Sequence, residues 1–60
     1  MFTEERHEHI LNLLNNNGKV LVKDLSKEFN VSESMIRKDL QFLEKKNLLL
    51  RTYGGAINIK

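Results

Sequence analysis

The chain contains no cysteine, which excludes disulfide bonds and metal sites built on thiolates. Long apolar stretches are also missing, because no uninterrupted run exceeds three residues, as in Leu48–Leu50, whereas a membrane helix needs roughly 20. No signal peptide is apparent at the N-terminus. With 60 residues, the chain forms at most one domain. We therefore expect a small cytoplasmic domain that makes no contact with membranes.

Catalytic side chains in a recognisable spacing are missing as well. His7 and His9 are the only imidazoles, and their i, i+2 spacing puts them on different sides of a helix, unlike the i, i+4 pair of the zinc-binding HExxH motif. The chain has no glycine-rich phosphate loop and no nucleophile motif. We expect no enzyme activity, no metal and no cofactor, with His7 half-buried in packing and His9 in solvent.

The net charge of +2 is unevenly distributed along the chain. Residues 1–36 carry four basic and six acidic side chains, whereas residues 37–60 carry six basic and two acidic ones. A basic C-terminal part favours contact with phosphate, although solvated charges on an ordinary surface explain the same pattern.

The N-terminal segment has the periodicity of an amphipathic helix. Thr3 is a suitable N-cap, and residues that can form one face recur at i, i+3, i+4 and i+7, namely His7, Ile10, Leu11 and Leu14. Gly18 suits the left-handed position that follows a last turn. Residues 19–22 are too few for a helix and predict a short edge strand.

Two short helices joined by a tight turn are predicted between Leu25 and Leu40. The first places Leu25 and Phe29 four residues apart on one face. Asn30 tolerates the left-handed conformation that such a turn requires, and Ser32 is the natural N-cap of the second helix. This order is that of a helix-turn-helix.

The second of these helices has two distinct faces. Its buried stripe consists of Ile36, Leu40 and Leu43, and the helix should end near Asn47. The stripe leaves four polar side chains directed outward together, namely Ser34, Arg37, Lys38 and Gln41. Such a face suits a DNA groove.

Residues 48–59 predict a β-hairpin. Leu48–Tyr53 and Ala56–Ile59 are compatible with strands, and Gly54 with Gly55 permits the positive φ angles of a tight turn. Two strands alone are marginally stable, so we expect them to pair with the strand predicted before the second helix. The expected fold is mainly α: a winged helix-turn-helix of three helices with a small antiparallel wing.

One specific combination of residues extends over nearly the whole chain, namely Arg6, Ile10, Leu14, Val31, Ser32, Ile36, Arg37, Lys38, Asp39, Leu40, Arg51, Gly54, Gly55 and Ala56. In these residues the chain resembles the DeoR-type bacterial transcriptional repressors. Met35 stands where the family usually has threonine, and Tyr53 where it commonly has histidine. A thioether can touch a thymine methyl but cannot donate a hydrogen bond. Tyrosine keeps a ring and one polar group.

The resemblance implies an operator-binding domain whose helix-turn-helix spans about residues 20–39. Full members of the family look longer and carry a C-terminal domain that binds a phosphorylated sugar or related metabolite. Nothing like that domain appears in these 60 residues. We therefore expect the DNA-reading module of a larger repressor, homo-oligomeric when complete, with double-stranded DNA as its partner.

A recognition helix enters the major groove with its N-terminal end first, which brings Ser34, Met35, Arg37 and Lys38 nearest the base edges. The planar fork of Arg37 can pair with guanine O6 and N7, whereas Lys38 is a point charge suited to phosphate. Two alternatives for Arg37 are an i, i+4 ion pair with Glu33 and a phosphate clamp without base contact.

Neighbouring residues have expected roles as well. Ser32 should be both an N-cap and a phosphate neighbour, because free N–H groups at a helix start attract anions. Glu33 either stabilises the helix N-terminus or accepts a hydrogen bond from cytosine N4. Asp39 should orient a neighbouring basic side chain or the wing.

In the wing, Arg51 and Tyr53 alternate on one face of a strand, and the glycines at 54 and 55 let the backbone approach DNA. Alternatively, the two glycines only turn the hairpin, and Tyr53 covers Leu49 or Ile57.

Two other uses of the fold are open. A winged helix can serve as a protein-interaction module without DNA readout, but the sequence offers no apolar surface stripe beside Arg37 and Lys38. An RNA-binding role needs aromatic stacking platforms, and Tyr53 is the one aromatic residue placed to supply them.

Overall fold

Three helices and three strands make up the part of the chain that the computed structural model describes, residues 2–59. In chain order they are α1 (Thr3–Asn17), β1 (Lys19–Leu21), α2 (Val22–Phe29), α3 (Glu33–Lys45), β2 (Leu50–Thr52) and β3 (Gly55–Ile57). This arrangement confirms the predicted winged helix-turn-helix. Within the described residues, no helix is both long and apolar enough to cross a membrane.

A residue with a left-handed backbone follows each helix, as the sequence predicts. Gly18 has φ 80° after α1, Asn30 has φ 55° after α2, and Asn47 has φ 61° just beyond α3. The N–H of Gly18 donates to the carbonyl of Leu14 at 2.7 Å, which satisfies one of the last carbonyls of α1. Glycine and asparagine adopt this conformation at little cost, so these residues fix where the chain reverses.

The prediction that Thr3 caps α1 is wrong by one position. Thr3 lies inside the helix, and Phe2 occupies the N-cap with extended backbone angles. The cap is made by the residue three positions later, because the backbone N–H of Phe2 donates to Oε1 of Glu5 at 3.0 Å. A carboxylate in the first turn also interacts favourably with the helix dipole.

Ser32 caps α3 as predicted, and its hydroxyl oxygen accepts the backbone N–H of Met35 at 3.1 Å. We expect Ser32→Ala to lower the free energy of unfolding by about 1 kcal/mol, since one N–H at the helix start loses its acceptor. Chemical denaturation followed by circular dichroism measures this loss. Ser34→Ala is the matched control, because Ser34 lies inside the helix and should cost nothing when replaced by a better helix former. Equal losses in both variants would contradict the capping role.

The strands form one antiparallel sheet in the order β1-β3-β2. β3 pairs with both neighbours, with Ala56 opposite Val20 on one side and opposite Arg51 on the other. The three-stranded sheet expected from sequence is therefore present. Because side chains alternate along a strand, Val20, Ala56 and Arg51 share the face that meets the helices.

The hairpin turn is one residue earlier than predicted. The strands are joined by Tyr53 and Gly54, and Gly54 has φ 84°. Gly55 instead lies inside β3, where a side-chain Cβ would meet the carbonyl oxygen of Val20 at 2.0 Å. Gly55 is thus required for close approach of β1 and β3, not for the turn.

The core contains side chains from all three helices, from β1 and β3, and from the segment before β2. Its buried apolar residues are Ile10, Leu14, Val20, Val22, Leu25, Ile36, Leu40, Leu43, Leu49 and Ala56. Phe29 and Val31 pack against this cluster and are partly buried. Leu49 has no exposed surface, and β2 starts after it at Leu50, two residues later than the predicted start at residue 48.

Candidate nucleic-acid interface

Within residues 2–59, no other element covers the outward face of α3. Ser34, Arg37, Lys38 and Gln41 are all exposed, while Ile36, Leu40 and Leu43 are buried on the opposite side. Helical periodicity therefore separates the two faces as the sequence predicts. Met35 is 42% exposed at the N-terminal end of the same helix, beside the serine cap.

Arg37 has a partner on its own helix. Its Nη2 donates to Oε1 of Glu33 at 3.1 Å, the i, i+4 pair anticipated as one alternative. The two side chains are 58% and 49% exposed, so the pair lies in solvent. Exposed pairs of this kind contribute only about 0.3–0.5 kcal/mol, which is too little to hold Arg37 away from a stronger acceptor such as guanine or phosphate.

Asp39 is the buried carboxylate of the recognition helix, and its partners are on α1. The guanidinium of Arg6 donates through Nε to Oδ2 and through Nη2 to Oδ1, the latter at 3.0 Å. His7 Nε2 lies 2.9 Å from Oδ1 of Asp39. Asp39 therefore does orient a basic side chain, but that side chain comes from α1, and the wing takes no part.

Two opposing effects set the pKa of Asp39. Burial favours the neutral carboxyl, but the hydrogen bonds from Arg6 and His7 and their charges outweigh it, so the pKa lies below its ordinary value. The hydrogen bond to Asp39 in turn raises the pKa of Arg6, against the opposing effect of burial. The ion pair thus joins α1 to α3 at a point where both side chains are more than nine-tenths buried.

His7 is partly buried, as predicted, and its ring stacks on Phe42 with 5.1 Å between centroids. His9 is less exposed than predicted. Its ring contacts the edge of Phe29, and its Nε2 lies 3.5 Å from a carboxylate oxygen of Glu28. Both imidazoles therefore pack between elements.

The wing is tied to α3 by one acidic side chain. The backbone N–H of Arg51 donates to one carboxylate oxygen of Glu44 at 3.1 Å, and the side-chain Nε of Arg51 donates to the other oxygen at 2.9 Å. The pKa of Glu44 lies below its ordinary value because of these hydrogen bonds, and the bond from the backbone N–H has the larger effect.

Tyr53 is fully exposed at the hairpin tip, so it covers neither Leu49 nor Ile57.

A groove runs between α3 and the wing and brings two of the predicted DNA-binding arginines together. Arg37 lines it from α3 and Arg51 from β2, with Gly54 at the hairpin end. Lys23, in the first turn of α2, lines the same groove and is exposed. Gly55 also borders the groove but is buried, and its close packing against β1 accounts for a glycine at this position.

Sequence reasoning missed three of the residues that shape this site. Arg6 lies four residues before Ile10 and eight before Leu14, on the buried face of α1. This helical spacing would have predicted that Arg6 is buried. Lys23 and Glu44 become relevant only through the fold, because Lys23 lines the groove beside the wing and Glu44 binds Arg51 seven residues away.

The sequence predicts no apolar surface stripe beside Arg37 and Lys38, and the structure shows one large aromatic side chain exposed on the same helix. Phe42 is 48% exposed on α3, where the Nζ of Lys46 lies 5.3 Å from the ring centroid. Further apolar side chains are exposed on other elements, namely Phe2, Leu21, Leu48, Leu50 and Ile59.

Comparison with known proteins gives the family. Residues 6–60 match the model of the DeoR-like helix-turn-helix domain. The chain is 49% identical over 55 residues to an Escherichia coli K12 protein named for repression of galactitol utilization; the match covers 92% of this chain and 49% of that protein. It is 42% identical over 60 residues to the transcriptional regulator GolR of Listeria innocua, covering all of this chain and 24% of the regulator.

A third relative is the glycerol-3-phosphate regulon repressor of Escherichia coli K12, which is 42% identical over 52 residues, or 87% of this chain and 21% of the repressor. The chain thus spans between a fifth and a half of the length of these relatives. No solved structure gives a significant match. The chain belongs to the DeoR-like helix-turn-helix family and has the DNA-binding domain of its transcriptional regulators.

Proposed function

We propose that this domain reads the operator of a carbohydrate operon by placing α3 in the major groove of duplex DNA, as part of a repressor. The observation that carries the proposal is the polar face of α3, which includes Arg37 and Lys38 and is exposed in the described part of the chain. The relatives named for galactitol utilization and the glycerol-3-phosphate regulon support the link to sugar metabolism.

In this proposal the residues of α3 divide between bases and phosphates. Arg37 reads guanine through its guanidinium fork, and Lys38 neutralises phosphate. Met35 lies at the end that enters the groove first, where its thioether can contact a thymine methyl. Ser34 and Gln41 border the same face and donate hydrogen bonds to base edges or phosphates.

The helix start and the wing supply further contacts. The N–H groups at the start of α3, next to Ser32, face the backbone of one strand. Arg51, Tyr53 and Gly54 contact the sugar-phosphate chain beside the groove, and Lys23 adds a charge from α2. Gly55 is buried and lies outside the proposed interface.

At the level of the whole regulator, we propose a cytoplasmic homo-oligomer that binds two operator half-sites. A phosphorylated sugar acts on a further domain, as the family resemblance implies. The protein works as a regulator and not as an enzyme.

Arg37→Ala tests the proposed base contact. We expect the variant to lose most of the preference for duplexes that the parent selects from a random pool, because a bidentate arginine–guanine pair contributes about 1–3 kcal/mol of discrimination. Fluorescence anisotropy titrations with a selected duplex and a shuffled one of equal composition measure this ratio. Lys19→Ala is the matched control, since it removes one exposed positive charge on β1, away from α3. A variant that ranks the duplexes as the parent does would show that Arg37 is not the reader.

A further inference from the structure

We propose that Glu44 is a positioning residue that holds the wing in register with the recognition helix, so that Arg51 reaches a phosphate in a fixed orientation. The inference rests on the proposed DNA-binding function and assigns a role within it to an acidic residue. Glu44 lies one residue before the end of α3, and Arg51 is the central residue of β2.

The contact uses both carboxylate oxygens and two different parts of Arg51. One oxygen holds the backbone N–H, which fixes the strand, and the other holds Nε, which fixes the plane of the guanidinium. A guanidinium has five N–H donors, and the contact with Glu44 uses the one on Nε. The four on Nη1 and Nη2 can therefore bind an acceptor outside the domain. The geometry therefore orients Arg51 in advance, which reduces the entropy lost when it binds a phosphate.

The contact also bridges the connection between α3 and β2. Between the end of α3 and the start of β2 the chain passes through Asn47, which has a left-handed backbone, and exposed Leu48. Glu44 spans this connection directly from helix to strand. Its backbone contact also satisfies an N–H on an outer strand, because β2 pairs with β3 on one side only.

If Glu44 acted only through its negative charge, it would weaken DNA binding, whereas a positioning role strengthens it. Within residues 37–60 the acidic residues are Asp39 and Glu44, and Asp39 is buried. Glu44 is partly exposed, and a carboxylate beside a phosphate-binding surface repels DNA, so its removal would raise affinity if it did nothing else. A positioning role predicts that its removal lowers affinity. The sign of the change therefore separates the two explanations.

The experiment is a double-mutant cycle with Glu44→Gln, Arg51→Ala and the double variant, titrated against a duplex that the parent selects from a random pool. Glutamine keeps the size of the side chain but offers one acceptor oxygen where the carboxylate offers two. We expect Glu44→Gln to weaken binding by about fivefold in the parent and to leave it unchanged or slightly stronger in the Arg51→Ala background. Glu8→Gln is the control for charge, because Glu8 is exposed on α1.

The salt dependence gives a second readout that a purely structural role would not change. Loss of one oriented phosphate contact should make the slope of log affinity against log salt less steep by about 1 in Glu44→Gln. Tighter binding of Glu44→Gln in both backgrounds, with an unchanged slope, would overturn the positioning role while leaving DNA binding intact. Failure of the parent to bind any duplex at low salt would overturn the proposed function and this inference together.

Discussion

Asp39→Ala is expected to lower the free energy of unfolding by about 3–5 kcal/mol, the largest effect of any single change considered. The variant leaves the guanidinium of Arg6, which is 6% exposed, without its two hydrogen bonds from Nε and Nη2. A buried charge without a partner costs far more than an exposed pair contributes. Small domains have a total stability of similar size, so the variant should be largely unfolded near room temperature.

Thermal and urea unfolding measured by circular dichroism test this expectation. Glu8→Ala is the control, because its carboxylate is exposed on the same helix that carries Arg6, and its loss should change stability by less than about 0.5 kcal/mol. Replacing both charges, as in Arg6→Met with Asp39→Leu, should recover much of the loss. A decrease below about 1 kcal/mol in Asp39→Ala would contradict the account of the buried pair.

The same pair gives a pH dependence of known sign. The pKa of Asp39 in the fold lies below its ordinary value of 3.8, so its contribution to stability is present above that value. The contribution is lost as pH falls through the lowered pKa, because the protonated carboxyl no longer compensates Arg6. The difference in stability between the parent and Asp39→Ala should therefore shrink in strongly acidic solution and stay constant near neutrality.

Gly55→Ala is expected to lower the free energy of unfolding by about 3 kcal/mol, because the added methyl group has no space in the sheet. A Cβ at this position would lie 2.0 Å from the carbonyl oxygen of Val20 and 3.1 Å from the Cα of Leu21. Both are backbone atoms of β1 and cannot rotate away, so β1 and β3 must separate. Separation would break the pairing that holds the wing to the rest of the sheet.

Gly18→Ala is the matched control for this prediction. Gly18 has φ 80° but open space around its Cα, so alanine there meets backbone strain of about 1 kcal/mol without any clash. Denaturation of the two variants side by side separates close packing from backbone conformation. Equal stability of the two variants would contradict the packing role of Gly55.

The fold was largely predictable because its signals are local. The apolar stripe of α3 specifies which side of that helix is buried, and the exposed face is its complement. Gly18, Asn30 and Asn47 are residues that tolerate the left-handed backbone, and each marks a reversal of the chain. The serine cap of α3 follows from side-chain chemistry at a helix start.

The parts that sequence did not predict depend on contacts between distant residues. Arg6 and Asp39 are 33 positions apart, and a pattern that assigns charged residues to the surface cannot pair them in the interior. Gly54 and Gly55 look equivalent in the sequence, but one has a positive φ in the turn and the other lies against Val20. Which of them could approach DNA depends on how β1 pairs with β3.

Backbone amide chemical shifts, recorded while a duplex from the random-pool selection is added at low salt, test the central claim most directly. We expect the largest shifts at Ser34, Arg37, Lys38 and Gln41 on the outward face of α3, with smaller ones at Arg51 and Gly54. The shifts should reverse as salt is raised. Shifts confined to Leu21 and Leu50 on the outer face of the sheet, or no shifts at all, would contradict an account in which α3 reads DNA.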